Sequence, residues 1–126
     1  MSLKIQCLTV DAHDPRALAE FWAKVLGWKI GEDGDDIGWW IERESEDPKQ
    51  TDFPDILFLR VPDTKNVKNR LHLDLRPDNQ EKEVERLEKL GAIKIDIGQS
   101  IDPDTTWIVM ADPEGNEFCV LSSSQK

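Results

Sequence analysis

The chain has 126 residues, the length of one domain, and folding at that size buries about two-thirds of the unfolded surface. Its 26 acidic residues outnumber 16 basic ones for a net charge of −10. A field of that sign argues against nucleic acid or an anionic membrane as partner, yet leaves a small anionic ligand open, because a local arginine pair overrides it.

No apolar run approaches the ~20 residues that span a bilayer. The opening Met1-Ser2-Leu3-Lys4 lacks the apolar core of a signal peptide, so the expectation is a cytoplasmic protein. Ile5 to Val10 then predicts a first strand, with Leu8 and Val10 on one face and Ile5, Cys7 and Thr9 on the other. Asp14-Pro15 opens a helix, an N-cap acid followed by proline at the first helical position. Leu18, Phe21, Trp22, Val25 and Leu26 form its apolar stripe, and Gly27 closes it. His13 beside the cap reads as an exposed loop residue. Trp28–Ile30 is a short strand, and the acidic turn 31–36 is a solvated hairpin tip; it lacks the ligand spacing and closing glutamate of a calcium loop. Strands follow at Gly38–Arg43 and Asp55–Val61, separated by a polar loop carrying Pro48 and Pro54.

After the linker Pro62–Asn66 comes Arg70-Leu71-His72-Leu73-Asp74-Leu75-Arg76. Alternation puts the three leucines on a face to be covered by helices, and Arg70, His72, Asp74 and Arg76 on the other. That second face reads as one wall of a polar-floored pocket. Asp78 or Asn79 caps a second helix, with Glu81 placed for a capping box if Asp78 is the cap. Val84, Leu87 and Leu90 face inward, and Gly91 ends it. Strands are expected near Ile93–Ile97, Thr106–Ala111 and Glu117–Ser122, the last two joined by Asp112-Pro113-Glu114-Gly115-Asn116. Cys7 and Cys119 sit in apolar alternating runs rather than in close pairs, which predicts two buried, reduced thiols.

Strand, helix and three strands thus occur twice. Leu26-Gly27-Trp28-Lys29-Ile30 is echoed by Leu90-Gly91-Ala92-Ile93-Lys94-Ile95, an offset of about 64 residues. Such a period means two copies of one supersecondary unit. The expectation is an α+β fold of two such units, about 3–62 and 69–123 of a single domain 1–126, each sheet with helices on one face and a concave opposite face.

Phe21-Trp22…Leu26-Gly27-Trp28, the stretch Asn69–Leu75 and the Asp112–Glu117 turn together resemble the vicinal oxygen chelate superfamily, in particular its small glyoxalase-like branch. The resemblance implies paired βαβββ modules forming a cup-shaped mixed sheet with helices on the outer face, usually a homodimer and, in metal-dependent members, ligands from four strands of the cup. His72 stands where those members place a histidine. Ile5 or Cys7 stands where another is expected, Ile56–Arg60 has no acid in its body, and Cys119 replaces a glutamate. One imidazole and one thiol fall short of the three protein ligands of a catalytic zinc site. Only with help from Cys7 do His72 and Cys119 make up a zinc site; otherwise a divalent metal has an incomplete ligand set, and no cofactor is predicted.

Trp39, Trp40 and Trp107 are predicted on strands; Trp39 and Trp40 are adjacent and so point to opposite faces. Cys119, with Glu117 and Leu121 on its face, is expected to point into the cup, as an inert thiol. The candidate ligand-binding set is Arg70, His72, Asp74, Trp40, Trp107 and Cys119, with His72 the candidate acid/base. Two readings follow: a protein binding a small aromatic or amphipathic molecule without a catalytic metal, or a lyase, isomerase or dioxygenase-type enzyme of the same scaffold using His72 as acid/base or partial metal ligand.

Overall fold

The computed structural model describes residues 3–44, 53–95 and 106–123. The chain divides into two compact units, Met1–Thr64 and Lys65–Lys126. Both are built alike, as βαβββ modules of an α+β fold.

In the first unit, β1 (Cys7–Ala12) leads to α1 (Pro15–Leu26), then β2 (Lys29–Ile30), β3 (Gly38–Glu42) and β4 (Asp55–Arg60). The sheet order is β1-β4-β3-β2, with β1 parallel to β4 and the other pairs antiparallel. A parallel pair needs a long crossover, and α1 supplies it. The Asp14 side chain accepts from the Ala17 amide at 3.2 Å, and Pro15 occupies the first turn, where its missing N–H costs nothing. The helix stops at Gly27, whose φ of 68° is a left-handed conformation that side chains resist. Leu18, Phe21 and Trp22 are buried from the helix side, and Ile41, Ile56 and Phe58 from the sheet side. Burial of each such side chain is worth roughly 1.5–3 kcal/mol. Phe21 and Trp22 meet edge to face, ring centres 5.4 Å apart.

Alternation along β3 separates the two tryptophans. Trp39 lies beneath the Arg16 guanidinium of α1, 5.1 Å from ring centre. Trp40 takes the opposite face, its indole lying over Gly31 so closely that no side chain fits there. The turn before β3 is a hairpin tip closed by Asp35, which accepts from the Ile37 and Gly38 amides at 2.9 and 3.1 Å. Those bonds to the charged form hold its carboxyl below the usual range.

In the second unit, β5 (Asp74–Leu75), α2 (Gln80–Leu90), β6 (Ile93–Lys94), β7 (Ile108–Ala111) and β8 (Glu117–Val120) repeat the order, with sheet order β5-β8-β7-β6 and β5 parallel to β8. The helix cap is Asn79, which accepts from the Lys82 amide at 3.0 Å; Lys82, not Glu81, holds the third helical position, so no capping box forms. Val84 and Leu87 of α2 and Met110, Phe118 and Val120 of the sheet are buried. Gln80 ties the start of α2 to the sheet, donating to the carbonyls of Thr106 (2.8 Å) and Val120 (3.1 Å). The β7–β8 turn is organised by buried Asp112, which accepts from the Glu114 and Asn116 amides, both at 2.9 Å, and from the Asn116 side chain. Gly115 takes φ 88° within it.

Three sequence expectations are corrected. Cys7 is exposed, because it begins β1 on the face away from α1. Leu71 is 80% exposed; regular pairing of the central stretch is confined to Asp74–Leu75, so the leucine alternation does not extend back to it. Trp107 lies just before β7 rather than within a strand. The remainder of the expected Ile93–Ile97 strand beyond Ile95, and Pro48, lie outside the described residues.

Candidate functional site

A cavity of about 250 Å³ opens on the second unit's sheet, on the face away from Met110, Phe118 and Val120. Alternation decides who reaches it. Glu117, Cys119 and Leu121 point in from β8 and its continuation, while Phe118 and Val120 point to the core. Trp107 and Val109 do the same beside β7, and His72 and Asp74 along the chain entering β5.

The β5–β8 pairing sets the floor. Asp74 is the direct partner of Cys119 in this parallel register, so their side chains share one face at neighbouring positions. The Cys119 amide donates to the Leu73 carbonyl at 2.9 Å and the Leu121 amide to Leu75 at 2.8 Å, fixing the register on both sides. His72 stands two residues before Asp74, its Nδ1 3.5 Å from the Asp74 Oδ1. Cys119 is 8% exposed. Burial raises its thiol pKa to about 11, helped by the charge of Asp74 and by the hydrogen bond the thiol donates to that carboxylate; Lys68 acts weakly the other way. At neutral pH the sulfur is protonated and is no ready nucleophile.

The rim is held by an ion pair absent from the sequence reading. Lys65 Nζ lies 2.9 Å from Glu117 Oε1, side chains 18% and 10% exposed, and the Asn69 amide donates to the same carboxylate at 3.0 Å. Burial pushes this carboxyl up, but the Asn69 amide and the Lys65 ammonium outweigh it, and its pKa falls below the usual range. The Asn69 side chain also donates to Asn116 at 3.2 Å. These contacts pin residues 65–69 to the Asp112–Glu117 turn, and so aim Lys68 and His72 at the cavity. Alternation in the sequence locates Glu117; no local signal pairs it with Lys65 from 52 positions away.

Of the six residues singled out in the sequence, His72, Asp74, Trp107 and Cys119 line this one cavity. Arg70 is exposed and outside its lining, and Trp40 belongs to the first unit, packed on Gly31. Arg76 is turned aside to the Ser122 carbonyl, 2.7 Å away. Lys68, Val109, Glu117 and Leu121 complete the wall.

Three chemistries are available here. Trp107, Val109 and Leu121 offer apolar surface, His72 with Asp74 forms an oriented imidazole, and His72, Asp74 and Cys119 carry donor atoms within 4.8 Å of one another. The open face of β1 carries Cys7, Thr9 and Asp11, and that of β4 carries Leu57 and Leu59.

A model of the glyoxalase-like domain family matches residues 7–121. No curated protein sequence matches the chain. Among solved structures it is similar to a glyoxalase/bleomycin resistance protein/dioxygenase family enzyme from Burkholderia phytofirmans PsJN, at 19% identity and a TM-score of 0.66, over 94% of this chain and 98% of that one. It is also similar to the fosfomycin resistance protein FosX from Listeria monocytogenes, at 12% identity and 0.68, over 99% and 94%. The bleomycin resistance determinant encoded on transposon Tn5 aligns at 15% identity and 0.58, over 97% and 99%. At such identities the likeness is one of fold.

Proposed function

The chain belongs to the glyoxalase-like domain family, and on that premise we propose that the second unit's cavity binds a small aromatic or amphipathic molecule without a catalytic metal. The observation carrying this is that one small cavity is lined both by apolar side chains (Trp107, Val109, Leu121) and by polar ones (His72, Asp74). Ligand sites have this composition: apolar area for affinity and a few placed polar groups for orientation. At about 250 Å³ the cavity lies below the range for drug-sized ligands (roughly 300–1,000 Å³), so a single-ring compound is the fitting size. Lys68 makes no ion pair among the described residues and supplies a cation for an acidic substituent. We read the protein as a cytoplasmic homodimer, a state that light scattering at micromolar concentration checks.

The test uses benzoate, catechol and phenylacetate as probes, with amide chemical-shift mapping on the full chain. Binding is expected to move the amides of residues 68–74, 107–109 and 117–121, and to weaken at least about tenfold in Trp107→Ala, from lost apolar area. Shifts that map elsewhere, or affinity unchanged in both Trp107→Ala and His72→Ala, refute the reading.

A second reading has one observation in its favour, the 3.5 Å approach of Asp74 to His72 Nδ1, which leaves Nε2 for a substrate proton. Under it the protein is an enzyme with His72 as acid/base, and turnover of a bound probe would vanish in His72→Gln while binding persists.

A further inference from the structure

Resting on that binding reading, we propose that the second unit's cavity selects single-ring aromatic monocarboxylates, and that Lys68 sets the selection by pairing with the ligand's carboxylate. Apolar side chains hold the ring; Lys68 decides what charge the ring carries. Lys68 is thus a specificity-determining residue, and Lys65, Asn69 and Glu117 are the residues that position it.

The charges around the cavity leave one of them unmatched. Lys68, Asp74 and Glu117 are the lining side chains that carry formal charge. Both carboxylates are engaged. Glu117 takes the Lys65 ammonium at 2.9 Å and the Asn69 amide at 3.0 Å, with its side chain only 10% exposed. Asp74 accepts a hydrogen bond from the Cys119 thiol and lies 3.5 Å from His72 Nδ1. Lys68 has no counter-ion among the described residues, and its charge is felt at Cys119 on the cavity floor. An anion on a ring held by Trp107, Val109 and Leu121 therefore meets a cation that no protein carboxylate has already taken.

The clamp on residues 65–69 serves this selection twice. It seats Lys68 beside an anchored neighbour, since Asn69 is held through its amide by Glu117 and through its side chain by Asn116. It also matches the charge of Glu117, which would otherwise repel an incoming anion or capture Lys68. The size of the ligand's charge follows from the same inventory. One ammonium is a compact unit charge and matches one carboxylate. A phosphate monoester carries about −1.5 to −2 and would set its second charge against Asp74 and Glu117 without a partner. The net charge of −10 makes the field around the protein repulsive to anions, so the selection acts at contact, through Lys68.

The test titrates the full chain with benzoate, with benzamide (the same shape without the charge) and with phenyl phosphate, reading affinity from amide shifts. Benzoate should bind about five- to tenfold more tightly than benzamide, the gain of one partly exposed charge-assisted pair. Phenyl phosphate should bind more weakly than benzoate. Lys68→Gln should erase the preference for benzoate while leaving benzamide within about twofold of the parent, and Lys68→Arg should keep it. Trp107→Ala should weaken benzoate and benzamide alike, which separates the ring's contribution from the charge's. Lys65→Met should also erase the preference by freeing the Glu117 carboxylate, and the double variant Lys65→Met/Glu117→Gln should regain it; a clamp that only held the loop in place would give no such recovery. A preference that survives Lys68→Gln overturns the assignment, as does phenyl phosphate binding more tightly than benzoate. Equal binding of benzoate and benzamide overturns the charge selection alone and leaves the cavity a ligand site. Binding of neither overturns the binding reading, and the selection falls with it.

Discussion

The pocket's shape depends on a contact remote from its chemistry, the Lys65–Glu117 pair, and that dependence can be measured. At 2.9 Å the pair gains about 6 kcal/mol of Coulomb energy at an effective dielectric near 20. Both ions are largely withdrawn from water, at several kcal/mol in total, so the net coupling expected is about 2–3 kcal/mol. Glu117→Gln keeps an oxygen for the Asn69 amide but leaves the Lys65 ammonium facing a neutral group; we expect a loss of about 3 kcal/mol. Lys65→Met strands the carboxylate and should cost a similar amount. The double variant should cost about 2 kcal/mol less than the two together, measured by urea unfolding at neutral pH. Additivity within about 0.5 kcal/mol would refute the coupling. The acid limb gives an independent check. The folded-state pKa of Glu117 lies below its unfolded value, so its contribution is present above pH 4.5 and is lost as pH falls through the folded value. Glu117→Gln should remove that part of the acid sensitivity, and an unchanged acid limb would count against the assignment.

Two other predictions concern the thiols and a glycine. Cys7 is exposed and Cys119 buried with a pKa of about 11, so one thiol per chain should react promptly with a disulfide reagent at pH 8 and the second only on unfolding. Because the folded pKa of Cys119 is raised from 9.0, stability should be intact below pH 9 and fall by about 3 kcal/mol between pH 9 and 11, a fall absent from Cys119→Ala; two equally reactive thiols would contradict both statements. Gly31→Ala would drive a methyl into the Trp40 indole and should destabilise by roughly 1–3 kcal/mol in thermal melts, whereas a neutral outcome would mean that the indole is free to move aside.

Much of this architecture is legible in the residues because its determinants are local. Asp14-Pro15 and Gly27 bound α1, and the echoed Leu-Gly pairs give the duplication. Alternation alone places Cys119 on the pocket face and Phe118 in the core. The failures also share a cause. Arg70, His72, Asp74 and Arg76 alternate evenly, yet only His72 and Asp74 reach the cavity, because ordered pairing begins near Leu73 and a tertiary contact turns Arg76 to Ser122. Cys7 sits in an apolar pattern that looks buried, but it faces away from the helix that would have covered it. Lys65 and Lys68 carry no periodic signal; Asn69 and Glu117, distant in sequence, set where they sit.

The two copies of the duplicated unit differ most on their open sheet faces. The first parallel pair, β1 with β4, presents Cys7, Thr9 and Asp11 opposite Asp55, Leu57 and Leu59. Apart from its end, that is a polar strand beside an apolar one. The second pair, β5 with β8, sets Asp74 against Cys119, with His72 one step behind. Direct register partners are the nearest side chains that two strands can offer, so a donor–donor pair at those positions is brought together by the fold before any side chain adjusts. The helix-side residues are interchangeable hydrophobes in both units, and the fold tolerates their drift. The open-face residues carry no such redundancy: replacing Asp74 by leucine would make the second floor resemble the first and remove the imidazole's partner. On this account Asp74→Leu should leave the unfolding midpoint near that of the parent while weakening the aromatic probes' binding in amide shift mapping. A variant that lost fold and binding in step would show instead that the floor is structural.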